Sequence, residues 1–149
     1  MRVLIQRVAH ASVTIEGEIV AEIDKGLLVF VGVATDDTEE DVDYLVRKTS
    51  QLRIFDDENG VMNLDVRQVD GEVLVVSQFT LQAATRKGNR PSYIHAAGEA
   101  VAVPLYESFK TKLSATIGKP IPSGRFGADM KVELLNDGPV TIWIDSIEK

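Results

Sequence analysis

The chain reads as an α+β domain: a curved, mainly antiparallel, barrel-like sheet carrying two helices. Three observations predict it. Strand-type patterns crowd both ends of the sequence, and two helical patterns are inserted between them. The continuous apolar run at residues 27–33 is that of a strand buried on both faces. At 149 residues the whole chain, 1–149, is one domain, large enough to bury roughly two-thirds of its unfolded surface. No repeat, low-complexity tract or linker divides it.

Residues 3–8 and 12–15 are rich in β-branched side chains, Glu16-Gly17-Glu18 is a turn signal, and residues 19–23 return as a strand. Asp24-Lys25-Gly26 turns into the apolar run. Thr38, with Asp41 three residues on, forms a capping box with Asp in the place of Glu or Gln, and Glu39 and Glu40 suit the positive end of a helix. Val42, Leu45, Val46, Thr49 and Leu52 then share one helical face. Asp56-Asp57-Glu58-Asn59-Gly60 is a turn leading to a short extended segment at 61–64; it lacks the ligand spacing and closing glutamate of a calcium loop.

A strand over 72–81 follows the Asp70-Gly71 turn, and a long polar loop, 83–92, leads to a helix over about 96–117 with Leu105, Phe109 and Leu113 on one face. Pro104 either opens a shorter helix or kinks a longer one. Residues 119–124 form an extended connector before two final strands, 130–135 and 140–144.

Composition narrows the function. A net charge of −7 argues against sequence-independent wrapping of nucleic acid and against DNA as a partner. It leaves room for a local grip on one RNA end. Thr85-Arg86-Lys87-Gly88-Asn89-Arg90 is the best such patch, read either as a solvated loop or as phosphate contacts by Arg86, Lys87 and Arg90. The chain has no cysteine, which excludes disulfides and thiolate chemistry and suits a cytoplasmic protein. Neither a signal peptide nor a membrane segment is expected. His10 and His95 stand alone, and neither a Gly-x-Ser-x-Gly elbow nor a phosphate-binding glycine loop is present. No metal, cofactor or catalytic triad is expected.

Two motifs remain. Ser77-Gln78-Phe79-Thr80-Leu81 closes the hydrophobic strand begun by Val73-Leu74-Val75-Val76. It is either a hydrogen-bonded strand end or a site where amides and hydroxyls face a ligand. In the second case the amides of Phe79 and Thr80 would stabilise an oxyanion, with the Thr80 hydroxyl positioning water or substrate. Without an adjacent base that hydroxyl is a poor nucleophile. Asn136-Asp137-Gly138-Pro139-Val140-Thr141 interrupts two strand patterns with a residue that lacks the ladder N–H. It is either an ordinary turn or a rigid, side-chain-poor corner that offers carbonyls outward.

Together these two motifs resemble the signature motifs of the D-aminoacyl-tRNA deacylases. Gly88-Asn89-Arg90-Pro91-Ser92, Ser123-Gly124-Arg125-Phe126-Gly127-Ala128-Asp129-Met130 and the opening Met1-Arg2-Val3-Leu4-Ile5-Gln6-Arg7-Val8 are similar to other segments of that family. The resemblance spans essentially the whole chain, in order.

It implies an enzyme that hydrolyses the ester between a D-amino acid and the terminal adenosine of tRNA, acting as a homodimer in translation proofreading. By this resemblance the Gly138–Pro139 bond is cis, and its carbonyls enter the partner's site, where they leave room for a hydrogen but not for an L side chain. Glycyl-tRNA would pass the same filter. Phe79 and Thr80 amides would hold the oxyanion, Ser77 and Gln78 would shape the pocket, and the tRNA 2′-hydroxyl would assist. Phe126 and Met130 would pack around the adenine. The resemblance leaves a second reading open, a non-catalytic domain that binds the aminoacyl-adenosine end, since a related fold is appended to some threonyl-tRNA synthetases. A third, a dimerisation domain without ligand, leaves the polar strand end unexplained.

Overall fold

One long strand, β1 (Arg2–Ile15), organises the sheet in the computed structural model, which describes all 149 residues. Along one edge it pairs antiparallel with β3 (Gly26–Gly32) through its first half and with β2 (Glu18–Ile23) through its second. Its other edge is paired almost throughout with β7 (Lys131–Asp145). The expected break between residues 8 and 12 is absent. Ala9 and His10 stay in the strand, and the irregularity is absorbed as register shifts between Gln6 and His10 in the β7 pairing.

The outer neighbour of β3 is β6 (Glu72–Ser77), and this pairing, with Leu28 opposite Leu74, is parallel. The sheet is therefore mixed, with antiparallel pairs in the majority. Two core clusters explain the apolar runs. Leu27, Val29, Val31, Val73 and Val75 face the helices, whereas Leu28, Leu74 and Val76 face the hollow of the curled sheet with Val8, Val13 and Ile23. Met130, Val132 and Leu134 pack at the margin of that second cluster. Each fully buried Val or Leu contributes roughly 1.5–3 kcal/mol, and β3 and β6 carry such residues on both faces.

Helix α1 (Glu39–Gln51) begins as expected: the Thr38 hydroxyl accepts from Glu40 N–H, and Thr38 N–H donates to the Asp41 carboxylate at 2.8 Å. Val42, Leu45, Val46 and Thr49 are buried. The Asp57 carboxylate closes the acidic turn on itself by accepting from the N–H groups of Asn59 and Val61. Beyond that turn a small ribbon pairs β4 (Phe55–Asp56) with β5 (Met62–Leu64).

Two expectations change here, and the alternatives at Pro104 are decided. The strand over 72–81 stops at Ser77, and Phe79–Gln82 winds into a 3₁₀ turn. The second helix, α2 (Glu99–Ile117), starts after residue 96 because Ala96 and Ala97 donate to the carbonyls of Tyr93 and Val33, which pins that stretch to the exit of β3. Pro104 lies inside the helix, which continues for 19 residues in all and ends where Gly118 adopts φ 73°. Leu105, Phe109 and Leu113 are buried on one face, as their spacing predicts.

The two final strands are one. Asn136 lies opposite Val8 and Thr141 opposite Gln6, so Asp137, Gly138, Pro139 and Val140 bulge outward opposite Arg7. The chain does not reverse there, and the motif is no hairpin turn. It is a corner protruding from a continuous strand.

Candidate active site

A cleft of about 240 Å³ opens where β6 ends. One wall consists of Val76, Ser77, Gln78 and Phe79; the other of Phe126, Gly127, Ala128, Met130 and Val132. The first wall is placed by backbone bonds. Gln78 N–H donates to the Val31 carbonyl at 2.7 Å, after which the chain leaves the sheet and Leu81 N–H donates to the Gln78 carbonyl. The buried Gln82 amide reaches back to the Gly32 carbonyl at 2.8 Å. Gly32 permits this close approach: an added Cβ would lie 2.8 Å from Leu81 Cβ and 2.9 Å from the Gln78 carbonyl. Phe79 and Thr80 open the 3₁₀ turn, and the leading N–H groups of such a turn have no partner within it. That is the arrangement an anion or oxyanion can use.

The second wall is stitched to β6 by Val75 N–H donating to the Pro122 carbonyl and Gly124 N–H donating to the Val75 carbonyl, at 3.0 and 3.1 Å. Met130 sulfur occupies the space over Gly124 that a Cβ would need. Phe126 leans on the buried Tyr106 ring, with centroids 5.9 Å apart. Burial pushes the Tyr106 phenol well above its ordinary pKa, so it stays neutral and donates to the Val75 carbonyl.

The corner is held separately. Arg7 donates to the carbonyls of Asp137 and Ile54, both at 2.7 Å, with Asp56 at 3.6 Å. The Asn136 side chain accepts from Val140 N–H at 2.8 Å and donates to the Val140 carbonyl. The Gly138–Pro139 peptide bond is cis, and Gly138 has φ 144°. An added Cβ on Gly138 would lie 2.9 Å from Val140 Cγ2 and 3.0 Å from the Arg7 guanidinium. The corner demands glycine both for its backbone conformation and for its space.

Over residues 4–145 the chain matches the sequence profile of the family described as D-Tyr-tRNA(Tyr) deacylase. It belongs to that family. Among relatives, the D-aminoacyl-tRNA deacylase of Flavobacterium johnsoniae is 61% identical over 146 residues, 98% of this chain and 97% of that one. The D-aminoacyl-tRNA deacylase of Parabacteroides distasonis is 58% identical over 149 residues, 100% of this chain and 99% of that one. A solved structure described as a c-Myc DNA unwinding element binding protein superposes with TM-score 0.93 at 41% identity, covering 97% of this chain and 98% of that chain. A second, of a "probable eukaryotic D-amino acid tRNA deacylase", has TM-score 0.82 at 17% identity, covers 96% of this chain and 97% of that chain, and speaks for the fold alone.

Within this hydrolase family member the structure brings together Ser77, Gln78, Phe79, Phe126 and Met130 at one cleft. Thr80 lies beyond its lining, and its hydroxyl is engaged by the Gln78 side-chain amide. Gly138 and Pro139 are not at the cleft of their own chain. The part of β7 that lines the cleft is Val132, opposite Val13 of β1, whereas Gly138 and Pro139 bulge opposite Arg7, roughly 20 Å away along the strand. They also sit level with Leu27 of β3, whereas Ser77 sits level with Val31. Arg86, Lys87 and Arg90 are exposed on a loop closed at its base by paired bonds between Ala84 and Ser92. His10 and His95 are both absent from the cleft lining.

Sequence reasoning missed Arg7, Asn136 and Arg2. Arg2 donates to both the Asp145 carboxylate and the Leu81 carbonyl at 2.9 Å, linking β7 to the 3₁₀ turn. Burial alone would raise the Asp145 carboxyl, but the N–H of Ile147, the Arg2 guanidinium and the N–H of Glu148 together hold it below its ordinary value. Asn136 was findable, because an asparagine just before an irregular segment commonly bonds nearby backbone. Nothing in the spacing around Arg2 or Arg7 marked either one.

Proposed function

We propose that the chain hydrolyses D-aminoacyl-tRNA to free D-amino acid and tRNA. The observation that carries this reading is the cleft itself: an apolar wall of Phe126 and Met130 for a nucleobase, faced by a 3₁₀ N-terminus for an oxyanion. Water attacks the ester carbonyl carbon, and the carbonyl oxygen takes up negative charge opposite the Phe79 and Thr80 amides. The bond to the ribose oxygen then breaks, and that oxygen leaves with a proton, the neighbouring 2′-hydroxyl assisting the transfer. Ser77 and Gln78 shape the pocket, and Thr80 acts through its backbone. An activated ester needs no metal or cofactor for this, and a cytoplasmic setting is where charged tRNA is met.

In this reading the protein is a homodimer. Gly138 and Pro139 of the partner subunit enter the cleft, and their carbonyls exclude any side chain in the L configuration. The separation of corner and cleft within one chain supports delivery across the dimer. D residues of many kinds are accepted, and achiral glycine passes, making glycyl-tRNA a second substrate. Arg86, Lys87 and Arg90 meet phosphates of the tRNA.

The test is hydrolysis of D-tyrosyl-tRNA against L-tyrosyl-tRNA by the folded protein. Accelerated loss of the D ester alone is expected. Binding of both without acceleration would reduce the protein to an aminoacyl-adenosine binding domain, and equal cleavage of both would reject the exclusion filter.

A further inference from the structure

Phe79 is shared between two surfaces. It lines the cleft, yet 54% of it remains exposed, and it meets Tyr93 edge to face with centroids 4.9 Å apart and rings at 71°. Tyr93 is itself 39% exposed. Both rings are anchored to the exit of β3: Phe79 through Gln78 N–H donating to the Val31 carbonyl, and the chain after Tyr93 through Thr35 N–H donating to the His95 carbonyl and Ala97 N–H donating to the Val33 carbonyl. They therefore form a fixed aromatic corner at the lip of the cleft. The loop that ends beside it carries Arg86, Lys87 and Arg90, none of which has a carboxylate partner. Three uncompensated cations next to exposed aromatic rings, in a chain of net charge −7, are a local exception to the molecule's electrostatics.

Aromatic faces beside a cationic track are what single-stranded nucleic acid requires: bases stack on the rings and phosphates follow the charges. We infer that the Phe79–Tyr93 corner is a stacking platform for the cytosine that precedes the terminal adenosine of the tRNA, with the 86–90 loop meeting the phosphates upstream. This rests on the tRNA reading above and extends it from the terminal nucleoside to the unpaired end. It also assigns work to Tyr93, which the hydrolytic step does not use. A polar-tipped ring suits such a place, because its face stacks while its hydroxyl stays in water.

The experiment compares two substrates, D-tyrosyl-tRNA and the D-tyrosyl ester of adenosine alone, with native protein and Tyr93→Ala. The expected result is a KM for the tRNA raised about tenfold more than that for the adenosine ester, with Tyr93→Phe restoring native behaviour. Equal losses on both substrates, or no loss on either, would overturn the platform. So would dissociation of a dimer by Tyr93→Ala that accounts for the loss. A binding measurement separates this from the hydrolytic reading. The trinucleotide CpCpA should bind native protein more tightly than adenosine, and Tyr93→Ala should lower that preference about tenfold. Replacing Arg86, Lys87 and Arg90 by Gln should flatten the salt dependence of binding to a longer acceptor-end oligonucleotide, by about 0.7 in log–log slope for each phosphate that is no longer neutralised. If neither ester is hydrolysed but CpCpA keeps its Tyr93-dependent preference, the hydrolase reading fails and the platform stands. If CpCpA binds no better than adenosine, the platform falls whatever the hydrolysis shows.

Discussion

The cleft wall grows out of β6, whose residues 73–76 are buried on both faces, whereas the Gly138–Pro139 corner bulges from β7, an edge strand that alternates between exposed and half-buried residues. The wall is positioned by the sheet ladder, by Gly32 and by Gln82, so packing and backbone bonds hold it together. The corner has little packing to rely on. It is held by the Arg7 guanidinium and the Asn136 amide, which satisfy backbone groups that the bulge removes from the ladder. A rigid surface feature can thus be made in two ways, by extending a core or by tethering an exposed segment with a few charged and polar side chains. The second way leaves the feature protruding, as the proposed entry into another subunit's cleft requires.

That contrast can be broken first at Gly32. A Cβ there collides with Leu81 and the Gln78 carbonyl, so Gly32→Ala should displace the 3₁₀ turn. Hydrolysis of D-tyrosyl-tRNA should fall about 100-fold in kcat/KM, the scale of a missing oxyanion donor. Denaturant unfolding should show a loss of about 1–3 kcal/mol. Stability loss with undiminished activity would mean that the turn does not carry the chemistry.

Arg7→Ala tests the corner. It should leave the cleft intact, cost about 1.5–3 kcal/mol for removal of a charged donor to backbone carbonyls, and lower the ratio of D to L cleavage about tenfold through misplacement. Arg7→Lys should rescue little, because one ammonium cannot span two carbonyls as the guanidinium fork does. An unchanged D to L ratio would show that the tether serves stability only.

The smallest effect expected is on the link between the two regions. Asp145, Asp41 and Asp65 all have carboxyls held below their ordinary values in the fold. Burial opposes this in each case, and it is outweighed by hydrogen bonds such as those from Ile147 N–H and Arg2 to Asp145, from Ser146 to Asp41, and from Arg67 to Asp65. Their stabilisation is complete above the unfolded carboxylate pKa of about 4 and is lost as pH falls through the lower folded values. Thermal stability should therefore be flat near neutrality and decline below about pH 4. Asp145→Asn should blunt that decline and loosen the Arg2 bridge to Leu81. A decline of the same size in Asp145→Asn would remove Asp145 from the account.

Much of this was open to reading in one dimension. Capping chemistry at Thr38 and Asp41, the helical faces of α1 and α2, and the doubly buried run of β3 depend on neighbours in sequence and on periodicity, so the sequence by itself determined them. It also marked the polar end of β6 and the irregularity at Gly138–Pro139, because both break a pattern that their own flanks establish. What only the tertiary structure decided depends on residues distant in the chain. Phe126 and Met130 lie about 50 residues from Ser77 in sequence and face it only because the 122–124 segment pairs with Val75. Arg7 holds Asp137 because β1 runs beside β7, and four residues of the corner share one partner position. Register across a sheet comes from the packing of the whole core, and no local pattern contains it. The same reason hid the end of β6. The chain leaves the sheet at Gln78 because Gly32, far off in sequence, makes room for a turn there.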